Sequence, residues 1–237
     1  MGFKFKQFTI EHDKCAMKVG TDSIMLGSWV QTNNAQRILD IGTGSGLLGI
    51  MLAQKTQDTC LIDGIDIDAE AILQAEGNAK NCPWSDRLTF QHTSIQLFSV
   101  ETGYDLIVSN PPYFPVNLSA NKIHSIPNRL NARQTVELDH STLLQEVAKS
   151  LSASGTFCCV LPADVVKEFL LSAESVGLFC TRELQVQTKQ QANVSRFLLE
   201  FSPIKDTKNS EKMSIYNHLG SYSKEYIVLC KDYYLNF

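Results

Sequence analysis

The chain has 237 residues, of which 43% are hydrophobic, and it carries a formal net charge of −4. This length and composition fit one α/β domain, and the acidic balance excludes a uniformly basic nucleic-acid binder, although it leaves room for a local basic patch. The seven cysteines are scattered without a C-x-x-C pair, so we expect free thiols, no disulfide framework and no zinc site.

The N-terminus, MGFKFKQFTIEHDK, has no apolar core of the kind found in signal peptides. No apolar stretch of the sequence approaches the ~20 residues that a bilayer-spanning helix needs. We therefore expect a cytoplasmic protein without a membrane partner.

From residue 37 onwards, short apolar runs alternate with stretches of helical periodicity. The predicted strands of the first half are RILDIG (37–42), CLIDGID (60–66), LTFQHT (88–93) and YDLIVSN (104–110). Helices are predicted after the first two strands, in GLLGIMLAQKT and DAEAILQAEGNAKNC, with Asp68 as the N-cap of the second.

The second half continues the alternation after a polar stretch, 115–138, that is typical of a loop. The predicted elements are a helix in HSTLLQEVAKSL, a strand in GTFCCVLP, a helix from near Asp164, a strand from near Leu178, a strand in RFLLEFSP (196–203) and a C-terminal helix in SKEYIVLCKDYYL. Residues 203–222 are polar, with KDTKNSEK in their middle, and we expect a solvated loop there.

This alternation predicts a mostly parallel sheet with helices on both faces. The strands are continuous apolar runs, as expected of parallel strands that are buried on both sides. We expect one domain over 1–237, with an N-terminal segment, 1–35, that flanks the sites and a core over 36–237.

Three glycines, Gly42, Gly44 and Gly46, stand between the first strand and its helix. Glycine is required where the backbone takes a positive φ or approaches a ligand closely, but this G-x-G-x-G spacing differs from the dinucleotide fingerprint. Asp40 precedes the turn and would repel a pyrophosphate, while Asp66 ends the next strand at the distance typical of a ribose-binding acid. The pattern favours a nucleoside that carries positive charge over a phosphate-rich cofactor.

The strand YDLIVS ends at two prolines, Pro111 and Pro112, which cannot continue a ladder because they lack an N–H group. Asn110 and Tyr113 flank this stiff corner. An ordinary strand-ending turn does not require an amide and an aromatic ring at these positions, so we expect a functional role.

The motifs LDIGTGSG, GIDID and SNPPY together resemble the class I S-adenosylmethionine-dependent methyltransferases that modify a planar amino nitrogen. The block FKQFTIEHDKCAMKVGTDSIMLGSW, with CPWSDRL, LDHSTLL and YSKEY, is similar to the bacterial subfamily that methylates N6 of adenine 37 in a valine tRNA. The resemblance implies a Rossmann-like fold with a twisted, mostly parallel seven-stranded sheet, helices on both faces and a late antiparallel strand.

The resemblance also implies S-adenosylmethionine as the cofactor, S-adenosylhomocysteine as its product, and no metal. The implied substrate is the anticodon stem-loop of a tRNA, and no obligate protein partner is evident. The implied cofactor-binding residues are Lys18, Gly20, Thr21, Asp40, Gly42, Gly44, Gly46, Asp66, Ile67, Ser94, Ile95 and Asn110.

Two parts of this set have specific expectations. The residues Lys18, Gly20, Thr21 and Asp22 resemble a block that closes over the methionine end of the cofactor. Thr21 or Asp22 could also cap a helix there. Ser94 departs from the family, which often carries Asp at this position to bind the cofactor's adenine, and a hydroxyl makes a weaker contact.

The NPPY corner suits an adenine amine, whose lone pair is delocalised into the ring. The side-chain oxygen of Asn110 and the carbonyl oxygen of Pro111 can accept the two N–H groups, and Pro112 helps to fix their directions. Tyr113 offers a face for base stacking, which contributes ~1–3 kcal/mol in single-strand binding.

For the RNA we expect phosphate contacts from four basic residues. They are Lys4 and Lys6 near the N-terminus, and Arg129 and Arg133 in the loop after NPPY. An equally weighted interpretation of FKFKQF is an alternating strand with one face buried.

Other functions use the same motif. A glutamine N5-methyltransferase of release factors carries a helical domain before the glycine motif, which here begins near residue 40. An N6-adenine methyltransferase of rRNA or DNA stays an alternative, although the DNA enzymes need a recognition domain that no segment obviously supplies. A catalytically silent partner subunit would have lost Asn110 or the glycine turn, and both are present.

Overall fold

A computed structural model describes residues 2–111 and 139–237. Within these residues, eight strands form one sheet and two short strands form a separate ribbon. The ribbon strands are β1 (Phe3–Lys4) and β2 (Thr9–Ile10). The sheet strands are β3 (Arg37–Ile41), β4 (Leu61–Asp66), β5 (Leu88–His92), β6 (Tyr104–Ser109), β7 (Leu151–Pro162), β8 (Phe179–Lys189), β9 (Val194–Ser202) and β10 (Asn209–Tyr216).

The sheet has the order β10-β8-β9-β7-β6-β3-β4-β5. In the described part of the chain, β9 runs antiparallel to both of its neighbours and every other neighbouring pair in this sheet is parallel. The predicted class, a mostly parallel sheet with a late antiparallel strand, is confirmed.

Helices cover both faces of this sheet. They are α1 (Thr21–Trp29), α2 (Leu47–Lys55), α3 (Ala69–Lys80), α4 (His140–Ser150), α5 (Val166–Ser175) and α6 (Lys224–Cys230), with a 3-10 turn at Ser85–Arg87. One core contains α1, α2 and α6, and the other contains α4 and α5. Successive strand residues alternate between the two cores, with Ile38 in the first and Leu39 in the second, because side chains of a strand point to opposite faces. Among the described residues, no helix is both long and apolar enough to cross a membrane.

The expected solvated loop over 203–222 is wrong in its middle, where β10 pairs in parallel with β8 and extends the predicted seven strands to eight. Met213 and Ser214 are buried while Glu211 and Lys212 are exposed. Charged residues are common on edge strands because they discourage pairing with another molecule, and here they obscured the strand signal. The predicted loop over 115–138 lies outside the described residues.

The N-terminal ribbon packs on the core through aromatic side chains. Phe5 and Phe8 are buried and stack on each other, and Phe8 also contacts Trp84 and Tyr233 edge-on. The buried face that one interpretation of FKFKQF predicted is therefore present. The ribbon joins the start of the chain to its C-terminal end.

A nearly buried ion pair stabilises the junction between the sheet and α1. Arg182 on β8 donates to Glu200 on β9 over 2.8 and 3.2 Å, and both side chains are only 13% exposed. The guanidinium also lies over the ring of Trp29, 3.8 Å from its centroid, and donates to the Trp29 carbonyl. Such a pair stabilises the fold only while both partners are present, because loss of one partner leaves the other charge buried and unpaired.

We predict that Glu200→Ala lowers the free energy of unfolding by about 3 kcal/mol, as expected when a buried pair is broken. Urea unfolding would measure the loss. The control is Glu174→Ala, which removes an exposed pair with Lys205 at 3.9 Å and should change stability by less than ~0.5 kcal/mol. Equal losses of unfolding free energy in the two variants would contradict the stabilising role of the buried pair.

Candidate active site

Four neighbouring strands bring the predicted residues to one edge of the sheet. Ile41 on β3 pairs with Ser109 on β6, so the glycine turn and Asn110 leave the sheet side by side. On its other side β3 pairs with β4, which ends at Asp66, and β4 pairs with β5, which ends at His92 just before Ser94. Carboxyl ends of parallel strands are where ligands bind in sheets of this kind.

The three glycines of the turn have different surroundings. Gly42, Gly44 and Gly46 have φ angles of 70°, 54° and 79°, which other residues rarely adopt. A Cβ on Gly46 would lie 3.2 Å from the Cβ of Ala75, so this glycine lets α2 approach α3. A Cβ on Gly42 or Gly44 would have no described atom within 4 Å, so the backbone there is accessible to a ligand.

Asp40 is a fully buried carboxyl group directly behind this turn. Its Oδ2 accepts hydrogen bonds from Thr43 Oγ1 at 2.6 Å and from the Gly49 N–H at 3.2 Å. Its Oδ1 is buried and has no partner among the described residues. Burial raises the pKa of Asp40 to about 7, and the two hydrogen bonds offset this only in part. A buried oxygen without a partner is costly, which is typical of a site completed by a ligand or a water molecule.

Asp66 ties the end of β4 to the glycine turn. Its Oδ2 accepts from the Gly44 N–H at 2.8 Å, and its Oδ1 accepts from the Asp68 N–H at 3.0 Å. Burial raises the pKa of Asp66, while these N–H groups favour its ionised form. Each carboxylate oxygen retains a second lone pair that could accept a hydroxyl group.

Ile67 and Ser94 lie near each other across the ends of β4 and β5. The Ile67 carbonyl is 3.0 Å from Nε2 of His92, and Ser94 begins a turn in which its carbonyl accepts from the Leu97 and Phe98 N–H groups. The following residue, Ile95, is buried in the core. Ser94 therefore lies just beyond the carboxyl end of β5, and its contact with the cofactor's adenine stays a prediction.

The N-terminal segment is fixed over this edge by a residue that sequence reasoning missed. Asn78 on α3 donates to the carbonyls of Glu11 and Ser45, both at 2.8 Å, and accepts from the Glu11 N–H at 2.9 Å. It thus connects the segment to the glycine turn. Its signal was a polar residue at helical spacing from the buried Ala71 and Ala75.

Lys18 binds the loop that precedes it, residues 12–15. Its Nζ donates to the carbonyls of His12, Asp13 and Cys15 at 2.8 to 3.1 Å. The ammonium group therefore holds residues 12–15 together, and its predicted contact with the cofactor stays a prediction.

The start of α1 also differs from one expectation. Gly20 is the N-cap and makes no side-chain cap bond, so the prediction that Thr21 or Asp22 caps the helix is wrong. Asp22 instead accepts from Arg196 on β9 at 2.9 Å. Thr21 opens the helix, and the N-terminus of a helix is a typical environment for a carboxylate.

Asn110 lies directly after β6 and contacts α1. The preceding residue, Ser109, is buried and donates to the Ile41 carbonyl at 2.9 Å, which fixes the register of the corner. The Asn110 Nδ2 donates to Ser23 Oγ at 2.8 Å, and Pro111 is buried. Pro112 and Tyr113 lie outside the described residues.

The four predicted RNA contacts have different surroundings. Lys4 is exposed on β1. Lys6 donates to the carbonyls of Lys231 and Phe237 at 2.5 and 2.8 Å, so it holds the C-terminal end against the ribbon. Arg129 and Arg133 lie outside the described residues.

Comparisons with known proteins find relatives that are named methyltransferases. Residues 15–174 match a family described as "Methyltransferase small domain". The chain is 48% identical to a Pseudoalteromonas atlantica protein named tRNA1(Val) (adenine(37)-N6)-methyltransferase, with 100% of this chain and 98% of that protein covered. A Salmonella typhi protein of the same name is 41% identical, with 99% and 95% covered.

Two solved structures show the same fold at low identity. A predicted O-methyltransferase from Agrobacterium tumefaciens has a TM-score of 0.62 at 14% identity and covers 90% of this chain and 96% of its own. The N-methyltransferase NodS from Bradyrhizobium japonicum WM9, in complex with S-adenosyl-l-homocysteine, has a TM-score of 0.52 at 18% identity and covers 75% and 82%.

Burial of Asp40 predicts a stability cost that depends on pH. Its pKa in the folded protein, about 7, exceeds that of an unfolded aspartate, so the folded state loses stability as pH rises through this interval. Asp40→Asn removes the charge. We expect the free energy of unfolding of this variant, relative to wild type, to rise by ~2 kcal/mol between pH 5.5 and 8.5. Urea unfolding of both proteins at both pH values would measure this difference. A difference that does not change with pH would contradict the prediction.

Proposed function

Since the chain belongs to the methyltransferase small domain family, we propose that it transfers a methyl group to N6 of adenine 37 in a valine tRNA. The observation that carries the proposal is the register that sets Asn110 beside the glycine turn. This arrangement supports the proposal, because a side-chain amide that can accept from an amine lies next to a turn whose backbone is open to a nucleoside. Two relatives that align over almost their full length bear the name of this activity, which supports the choice of substrate.

The proposed cofactor is S-adenosylmethionine, which when bound supplies a methyl group on a positively charged sulfur. The residues of the edge fit it. Gly42 and Gly44 leave the backbone open to close approach, and the unpartnered oxygen of Asp40 favours a cationic ligand or an ordered water that bridges to one. Asp66 has lone pairs for ribose hydroxyls, in the position that acids take in nucleoside sites.

The remaining cofactor contacts are assigned by position. Gly20 and Thr21 present the N-terminus of α1 to the carboxylate of the cofactor, and Lys18 holds the neighbouring residues 12–15 together. Ile67, Ser94 and Ile95 surround the adenine end, where the Ser94 hydroxyl replaces the carboxylate found in many relatives of this fold.

The NPPY corner selects and orients the amine. Asn110 Oδ1 and the Pro111 carbonyl accept the two N–H groups of N6, which turns the nitrogen lone pair out of conjugation with the ring. Because both acceptors are held by a proline corner at the end of a buried strand, little ordering entropy remains to be lost when the substrate binds. Tyr113 is proposed to stack on the base.

The proposed methyl transfer needs no general base at this corner. Neither an amide oxygen nor a backbone carbonyl takes up a proton at neutral pH, so Asn110 and Pro111 only hold the N6 hydrogens. The proton that N6 loses after methylation passes to water at the mouth of the site.

The RNA side of the proposal needs an unstacked base. Bases of an anticodon loop are single-stranded and can be splayed out, at a cost of a few kcal/mol. Lys4, Arg129 and Arg133 are the proposed phosphate contacts. Lys6 is the weakest of the four, because its amine is already bound to two carbonyls.

The proposal is tested by incubating unmodified tRNA with the protein and methyl-labelled S-adenosylmethionine, followed by nucleoside mass spectrometry. We expect N6-methyladenosine at position 37 of the valine tRNA. Asn110→Ala should lower kcat by ~10²–10³, the cost of losing one transition-state hydrogen bond, while cofactor affinity stays within a few-fold.

A matched control is Asn81→Ala, which alters an exposed asparagine at the end of α3 and should keep full activity. Label in protein or DNA but not in tRNA would contradict the substrate. Full activity of Asn110→Ala would contradict the role of the corner.

A further inference from the structure

The side-chain amide of Asn110 must be held in one of two orientations. A carboxamide carries an acceptor oxygen and a donor nitrogen, and only the oxygen can receive an N–H group of the adenine amine. When the oxygen faces the substrate, the nitrogen faces away and needs an acceptor of its own. A half-buried donor without an acceptor would disfavour that orientation.

We propose that Ser23 is a positioning residue that supplies this acceptor, an inference that rests on the function proposed above. The Asn110 Nδ2 donates to Ser23 Oγ over 2.8 Å, between residues 87 positions apart in the chain. Because the oxygen and the nitrogen diverge from the same carboxamide carbon, a nitrogen that is bound to Ser23 leaves Oδ1 directed elsewhere.

The Ser23 hydroxyl can hold the amide because α1 itself is fixed at both ends. Near its start, Asp22 accepts from Arg196 at 2.9 Å. At its end, Lys55 donates to the carbonyls of Gly27, Ser28 and Val30 at 2.5 to 3.2 Å.

The middle of α1 is packed against α2 without spare room. Ile24, Met25 and Leu26 are at most 1% exposed. A Cβ on Gly27 would lie 2.7 Å from the sulfur of Met51, so the two helices are in close contact. Displacement of Ser23 would disturb this packing, and the hydroxyl therefore acts as a rigid reference for Asn110.

A hydroxyl can also donate, so Ser23 alone does not exclude the reversed amide. The substrate excludes it, because the reversed amide would direct its N–H groups at those of N6. The substrate selects the oxygen and Ser23 satisfies the nitrogen. Because positive charge develops on N6 in the transition state, the hydrogen bond to Oδ1 is strongest there, and the contribution of Ser23 should therefore appear in kcat.

Steady-state kinetics of Ser23→Ala and Ser23→Thr test the inference. We expect Ser23→Ala to lower kcat about 3- to 10-fold, which corresponds to one neutral hydrogen bond, with KM for cofactor and tRNA within two-fold of wild type. Ser23→Thr keeps the hydroxyl and should restore kcat. Ser28→Ala, on another side of the same helix, should match wild type, and Ser23→Cys, a weaker acceptor, replaces Ser23→Ala if that variant does not fold.

A double-mutant cycle distinguishes a positioning role of Ser23 from an effect on the stability of α1. In an Asn110→Ala background, Ser23→Ala should cause no further loss, because the two residues act through one contact. An equal loss in both backgrounds, or a change confined to KM and thermal stability, would overturn the inference. Wild-type kcat in Ser23→Ala would overturn it and leave the proposed function standing, whereas inactivity of the wild-type protein on tRNA would overturn both.

Discussion

The pairing of β3 with β6 is the constraint on which the site depends. Ile41 and Ser109 are opposite each other, and the Ser109 hydroxyl donates to the Ile41 carbonyl. This register makes the first residue of the glycine turn and Asn110 leave neighbouring strands at the same level. A one-residue slip would send the side chains of β6 to the wrong faces and would move the corner along the edge. The apolar side chains that fill the two cores therefore also set the geometry of the chemistry.

The edge combines features that are unfavourable for folding but useful for binding. Asp40 is buried with an oxygen that lacks a partner among the described residues, and three residues of the turn adopt positive φ angles. Structural polar groups compensate around them: Asn78 binds both the turn and the N-terminal segment, and Lys18 holds residues 12–15 together. The local cost of the site is thus offset by contacts from segments that are distant in sequence, as functional sites commonly require.

Much of this could be predicted from the sequence, because buried parallel strands and glycine turns leave strong local patterns. The predicted strands and helices around Asp40, Asp66 and Asn110 are present within a few residues. The edge strand β10 was missed because charged residues cover its exposed positions. Ser23 and Asn78 were missed as site residues for another reason: their importance comes from partners 87 and 67 positions away, and no local pattern encodes such contacts. Lys6 and Lys18 had the same ambiguity, since a lysine that binds backbone carbonyls looks like any other lysine in the sequence.

The most direct measurement is a crystal structure of the protein with S-adenosylhomocysteine and an anticodon stem-loop of the valine tRNA. We expect adenine 37 to be turned out of the loop, with its N6 within ~2.6–3.2 Å of both Asn110 Oδ1 and the Pro111 carbonyl oxygen. An adenine that enters the site with N6 bound by other groups, or an Asn110 side chain directed away from the glycine turn, would contradict it.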